Sequence, residues 1–155
     1  MADMDDLSTP PAQTRRQHWM SVLARAPFAE LARLTEGVVF PEVDIIKPAE
    51  IGTLMVEGRA GGGGRRFNAG EATLTRCIVR EGERLGYAYA LGRDKAKALL
   101  CARLDALLQD DLRNAEIMAQ VVMPLAGMQS AARDLDSRRA ASTKVEFFTM
   151  VRGDG

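Results

Sequence analysis

The chain has 155 residues, 46% of them hydrophobic, which is the size and composition of one ordinary domain with a real core. Its 21 basic and 21 acidic side chains balance, which excludes a nucleic-acid protein that relies on bulk positive charge. Two cysteines, Cys77 and Cys101, and one histidine, His18, are too few for a disulfide framework or a four-ligand zinc site. The two cysteines are expected to be buried, reduced thiols.

The first residues, MADMDDLSTPPAQT, are acidic and polar, without the basic start and apolar centre of a signal peptide. No stretch approaches the roughly 18 apolar residues of a transmembrane helix, so the expected location is the cytoplasm. Residues 1–13, with Pro10 and Pro11 as breakers, read as a flexible tail, and 14–155 as a single α+β domain.

A helical pattern begins at Thr14, with Trp19, Val22 and Leu23 at i, i+3 and i+4. Pro27 is placed to open a second short helix carrying Phe28, Leu31 and Leu34, which Gly37 stops. The period then changes to that of strands. Val43 to Ile46, Thr53 to Ala60, Ala72 to Arg80 and Arg84 to Leu91 predict an antiparallel meander of about four strands. Leu54 and Val56 share a face of their strand, as do Leu74 and Ile78, and Tyr87, Tyr89 and Leu91, of theirs. No helices separate these strands, which argues against a doubly wound nucleotide fold.

Helices return at Asp94, a plausible N-cap. Ala96, Leu100, Leu104, Leu107 and Leu108 form an apolar stripe, and Ile117, Val121 and Val122 mark a further helical stretch. Pro124 is expected to break or kink it before a last helix to about Ala141. Val145 to Val151 reads as a terminal extended segment, a fifth strand or an arm awaiting a cover.

Three places could carry chemistry. Gly61 to Gly64 followed by Arg65 and Arg66 offers open backbone amides beside two guanidinium groups, although no Lys-Ser/Thr follows as in a Walker loop. The plainer alternative is a flexible turn with solvated arginines. Arg93 and Lys95 flank a helix start that could attract an anion, but the Asp94 carboxylate competes for that position. Arg76, between Leu74 and Ile78, is either paired in an ion pair or presented to a cleft. If its strand returns beside the glycine turn, it would join Arg65 and Arg66 in one cluster. The third place, Arg16-Gln17-His18-Trp19, is an interface anchor or, more simply, part of the core.

Together, RQHWMSVLA (Arg16 to Ala24), RFNAGEATLTR (Arg66 to Arg76), GYAYALGRDK (Gly86 to Lys95), DALLQ (Asp105 to Gln109) and VEFFTMVRGD (Val145 to Asp154) resemble the G subunit of the bacterial carbon–phosphorus lyase system. The resemblance implies an accessory subunit, inactive alone, of a multi-subunit transferase in phosphonate catabolism. With H, I and L subunits it would support displacement of adenine from C1′ of ATP by methylphosphonate, giving α-D-ribose 1-methylphosphonate 5-triphosphate. It would also join a core assembly with H, I and J subunits. ATP, with Mg²⁺, and an alkylphosphonate would be substrates of the complex rather than cofactors of this chain, and neither nucleic acid nor membrane is implied as a partner. Arg65, Arg66, Arg76, Arg93 and Lys95 are then anion-binding or partner-binding candidates. A purely structural interaction module is the alternative.

Overall fold

The computed structural model describes residues 12–61 and 63–143. Two helices, α1 (Ala12–Arg25) and α2 (Phe28–Leu34), precede a sheet of β1 (Asp44–Arg59), β2 (Arg66–Glu81) and β3 (Arg84–Leu91). Then follow α3 (Lys95–Leu108), α4 (Asp111–Ile117), a π-turn at Met118–Val122 and α5 (Met123–Ser142). The sheet is antiparallel in the order β1-β2-β3, so the expected α+β meander stands with three strands.

The strand count differs from expectation because Val43 to Ile46 and Thr53 to Ala60 belong to one strand. Pro48 lies inside it, and register shifts between Ile45 and Lys47 and between Lys47 and Glu50 accommodate the proline. Such bulges are where an edge strand tolerates a residue without an N–H. Pro124 behaves similarly. The helix does not break there; it widens to a π-turn just before the proline, relieving the backbone bond that proline does not make.

One face of the sheet carries the core. Thr75, Cys77 and Val79 of β2 and Gly86, Ala88 and Ala90 of β3 are buried against α3. Ala98, Ala102 and Ala106, one turn apart on α3, are buried too, and their small size lets the helix backbone approach closely. At the crossing a Cβ on Gly86 would collide with the Ala102 carbonyl oxygen, so only glycine fits. Leu23, Leu31, Leu104, Leu107, Ile117 and Val121 complete the interior.

The helix α1 covers the outer edge of β3, and the tie is a buried carboxylate. Asp105 on α3 accepts from Arg16 Nε at 3.2 Å and Nη2 at 2.7 Å, from Trp19 Nε1 at 2.9 Å and from the Tyr87 backbone N–H at 2.9 Å. Arg16 Nη2 and Gln109 Nε2 also donate to the Leu85 carbonyl, at 2.9 and 2.8 Å. Edge groups that could recruit a stray strand are thus occupied by side chains. Trp19 is therefore core, as its spacing predicts.

Replacing Asp105 by alanine is expected to cost about 3–5 kcal/mol, because it strands a guanidinium, an indole N–H and a backbone N–H. Chemical denaturation of the isolated chain would measure it; a loss below about 1 kcal/mol would mean that water replaces the carboxylate.

Candidate protein-docking surface

Among the described residues no helix covers the opposite face of the sheet, though Arg16 of α1 reaches over the Tyr87 ring at its rim. Paired residues in antiparallel strands share a face, so the register sets its rows. Glu50, Arg76 and Tyr89 form one row, Gly52, Leu74 and Leu91 the next, and Lys47, Ile78 and Tyr87 another. The row of Asp44, Arg80 and Leu85 lies beyond. Tyr89 is 54% exposed and Leu91 72% exposed. The shared faces predicted for Leu74 and Ile78, and for Tyr87, Tyr89 and Leu91, are those found.

Beyond Leu74 the sheet narrows to two strands. Gly92 has φ +99, its N–H donates to the Thr73 carbonyl at 2.9 Å, and its carbonyl accepts from Thr75 Oγ1 at 2.7 Å. Only glycine adopts this backbone readily, and it turns the chain from β3 into α3. Asp94 then caps α3, its carboxylate accepting from the Lys97 N–H at 2.9 Å. Without a third strand, residues 52–59 and 66–73 extend as a hairpin arm. Leu54 and Val56 lie on the face continuous with Leu74, while Ile51 and Met55 lie on the face of Thr75, where α3 no longer reaches. All four are exposed, Leu54 at 53% and Met55 at 60%. The Phe67 ring, half exposed, lies over Gly58 opposite it.

At the tip the glycines have a structural reason. Gly61 has φ +60, and a Cβ on Gly64 would collide with the Ala60 carbonyl oxygen. Gly64 N–H donates to Gly61 O at 3.1 Å and Ala60 N–H to Arg65 O at 3.3 Å, closing a tight turn. The long connection expected before Ala72 is mostly strand.

The candidate basic residues are not one cluster. Arg65 is exposed at the turn, and Arg66 is exposed beside Glu57 at 3.6 Å. Arg76 does not return to them. It stands opposite Glu50, ten residues along β2 from Arg66 (76 − 66), or roughly 33 Å at the usual strand rise. The hairpin pairs residues 53–59 with 66–73 rather than with 72–80, and this register carries Arg76 away from the turn. Arg93 and Lys95 are exposed beside the first turn of α3, where Asp94 is already the capping acceptor. Val145 to Val151 lies outside the described residues.

Arg76 is in an ion pair: Nη2 and Nε both lie 2.6 Å from Glu50 Oε1, and Lys47 Nζ lies 3.0 Å from the same oxygen. Lys47 and then Arg76 hold the Glu50 carboxyl below its ordinary value. A carboxylate lowered on folding adds stability above its unfolded value, near 4.3, which is lost as pH falls through the folded value. Glu50→Gln is therefore expected to flatten the pH dependence of stability slightly in that acidic window, and only at low salt, because the triad is exposed. Denaturation midpoints from pH 6 to pH 3 would test this; an unchanged slope at low salt counts against the triad.

Acid–base equipment does not gather on this surface. His18 is exposed on α1, and among the described residues no group of three or more His, Cys, Asp or Glu could hold a metal. A cavity of about 210 Å³ between α1 and β3 is lined by Met20, Leu23, Tyr87, Ala88 and Cys101. Burial pushes the Cys101 thiol up to about 12 and raises that of Cys77 as well. Thiolate is the reactive form, so neither cysteine should react with a disulfide reagent between pH 7 and 9 until the protein is unfolded. Stoichiometric labelling of the native chain at pH 8 would contradict this.

An α+β chain whose open sheet face sets exposed Tyr89 and Leu91 beside ion-paired Arg76 and Arg80 has the surface of an assembly subunit. The family described as phosphonate metabolism protein PhnG matches residues 14–153. Over 161 residues, covering 99% of each chain, the protein is 40% identical to the alpha-D-ribose 1-methylphosphonate 5-triphosphate synthase subunit PhnG of Rhizobium meliloti (strain 1021). The chain belongs to the PhnG family.

The resemblance carried by the five sequence segments therefore holds. What sequence reasoning missed is Asp105, quoted only as the first residue of DALLQ. Its signal was an acidic residue inside an apolar helical stripe. Exposure of the Tyr89–Leu91 face was missed as well, since alternation says which residues share a face and not whether a helix covers it.

Proposed function

We propose that this chain is a subunit of an α-D-ribose 1-methylphosphonate 5-triphosphate synthase acting in phosphonate catabolism, and that it works by docking partner subunits. The observation that carries the reading is the open sheet face, from Leu54 through Leu74 to Tyr89 and Leu91, in a chain so similar to a named subunit of that synthase. Family resemblance supplies the H, I, J and L subunits as partners, and the setting we propose is the cytoplasm. No described helix is long and apolar enough to cross a membrane.

The reaction requires adenine to leave C1′ of ATP while a phosphonate oxygen bonds there. A group must protonate or hydrogen-bond the departing base, and cations must hold the triphosphate. Among its described residues this chain offers exposed arginines and lysines but no paired acid and base, and we assign those roles to partner chains, with Mg²⁺ entering with ATP. Docking is favoured over direct contact with ATP because Arg65, Arg66 and Arg76 do not converge, and because Asp94 occupies the N-cap beside Arg93 and Lys95.

Co-expression with the H, I, J and L subunits tests the reading. The chain should co-purify, show no adenine release from ATP and methylphosphonate alone, and be required for that release by the complex. Leu91→Arg, on the open face, should lower complex yield on the order of tenfold while leaving the fold intact, as expected for an interface residue. Adenine release by the isolated chain, or assembly indifferent to Leu91→Arg, would overturn the reading.

A further inference from the structure

The arm formed by residues 52–59 and 66–73 differs from the rest of the open surface. The face over β2 and β3 is apolar on one side only, since α3 covers the other. The arm has apolar side chains on both: Leu54 and Val56 on one face and Met55 on the other, with Ile51 at its base. A single flat partner surface would cover one set and leave the other in water. A two-stranded ribbon is also marginal by itself in water, because it has no second layer to pack against. Eight residues, 52 to 59, at the usual strand rise make the arm about 26 Å long. It is long enough to penetrate another protein.

Its end is charged. Arg59, Arg65 and Arg66 face a single carboxylate, Glu57, at the tip, and that carboxylate pairs with Arg66 across 3.6 Å with both side chains mostly exposed. The tip thus carries a formal excess of two positive charges (three arginines less one glutamate). Guanidinium groups enter a protein environment only when carboxylates or other acceptors meet them there.

We infer that the arm inserts into a cleft of another protein subunit, with apolar walls that cover both of its faces and acidic side chains at the closed end that receive Arg59, Arg65 and Arg66. The inference rests on the reading of this chain as a subunit and says how one part of it engages. A triphosphate would satisfy the arginines but would leave Leu54, Val56, Ile51 and Met55 uncovered, so the protein cleft accounts for more of the arm. Arm-to-arm pairing of two copies would bring like-charged tips together unless the arms ran antiparallel.

The test uses the full chain co-expressed with the synthase subunits, and four variants. Leu54→Asp and Met55→Asp probe the two faces, Arg59→Glu with Arg65→Glu probes the tip, and Leu91→Arg probes the open face outside the arm. No described element outside the arm packs on it, so the three arm variants should melt like the parent, which calorimetry checks. Insertion predicts that Leu54→Asp and Met55→Asp each weaken assembly on the order of thirtyfold, as for central interface residues. It also predicts that the tip variant weakens assembly and removes much of its salt sensitivity.

Loss with Leu54→Asp but normal assembly with Met55→Asp would replace the cleft by a flat contact, the subunit reading surviving. A tip variant that assembles normally but raises the apparent KM for ATP would assign the arginines to polyphosphate and overturn the acidic cleft. A concentration-dependent dimer of the isolated chain, abolished by Met55→Asp, would name a second copy as the occupant. Failure of the parent chain to co-purify would instead sink the subunit reading itself.

Discussion

The fold depends on one buried carboxylate. Asp105 is fully buried in the last turn of α3, in a stripe otherwise made of alanine, leucine and Cys101. A charge in that position survives only if its acceptor sites are filled, and Arg16, Trp19 and Tyr87 fill them. These three partners come from a helix far upstream and from the edge strand, so the ionic cluster joins three elements that apolar packing alone would leave free to slide. Arg16 also lies over the Tyr87 ring, 5.4 Å from its centroid. The bond to Asp105 raises the guanidinium's own basicity, so the Arg16 charge persists across the ordinary pH range.

That cluster decides which parts of the sheet are open. Once Asp105 fixes α1 against β3, the outer edge of β3 is closed to strand addition, with side chains on the Leu85 carbonyl and Tyr87 N–H. The remaining exposed surface lies on the far face and on the arm. β1 at the opposite edge is guarded in another way, by two register shifts, Pro48, and the charges of Lys47 and Glu50. Both edges resist unspecific pairing while the apolar face stays available, a combination suited to a chain that joins an assembly by side-chain contact.

Much of this was legible in the sequence. Helical spacing of Trp19, Val22 and Leu23 and of the α3 leucines, and strand alternation at Tyr87, Tyr89 and Leu91, are local signals, and local geometry follows from them. Asp94 as a cap was legible for the same reason, since the competing acceptors lie within one turn. Register was not. The continuation of β2 down to Arg66, which sends Arg76 away from the glycine turn, depends on how two sixteen-residue strands pair, and a weakly patterned arm specifies this poorly. Pro124 misled for a related reason. It was read by the bond it lacks, whereas a π-turn rearranged the neighbouring bonds so that the helix continued.

The sequence segments that carry the family resemblance separate physically into two kinds. Arg16 and Trp19 of the first, Tyr87 of the third, and Asp105 and Gln109 of the fourth meet around the buried carboxylate or the β3 edge that it secures. They maintain the fold, and nothing in their geometry calls for a substrate. Residues 66–73 of the second segment are the returning strand of the arm, where no core among the described residues covers the apolar side chains. Apolar side chains kept in water cost solubility and contribute little to stability. Among the described residues nothing covers the arm, which suits a chain whose packing is completed in a larger assembly.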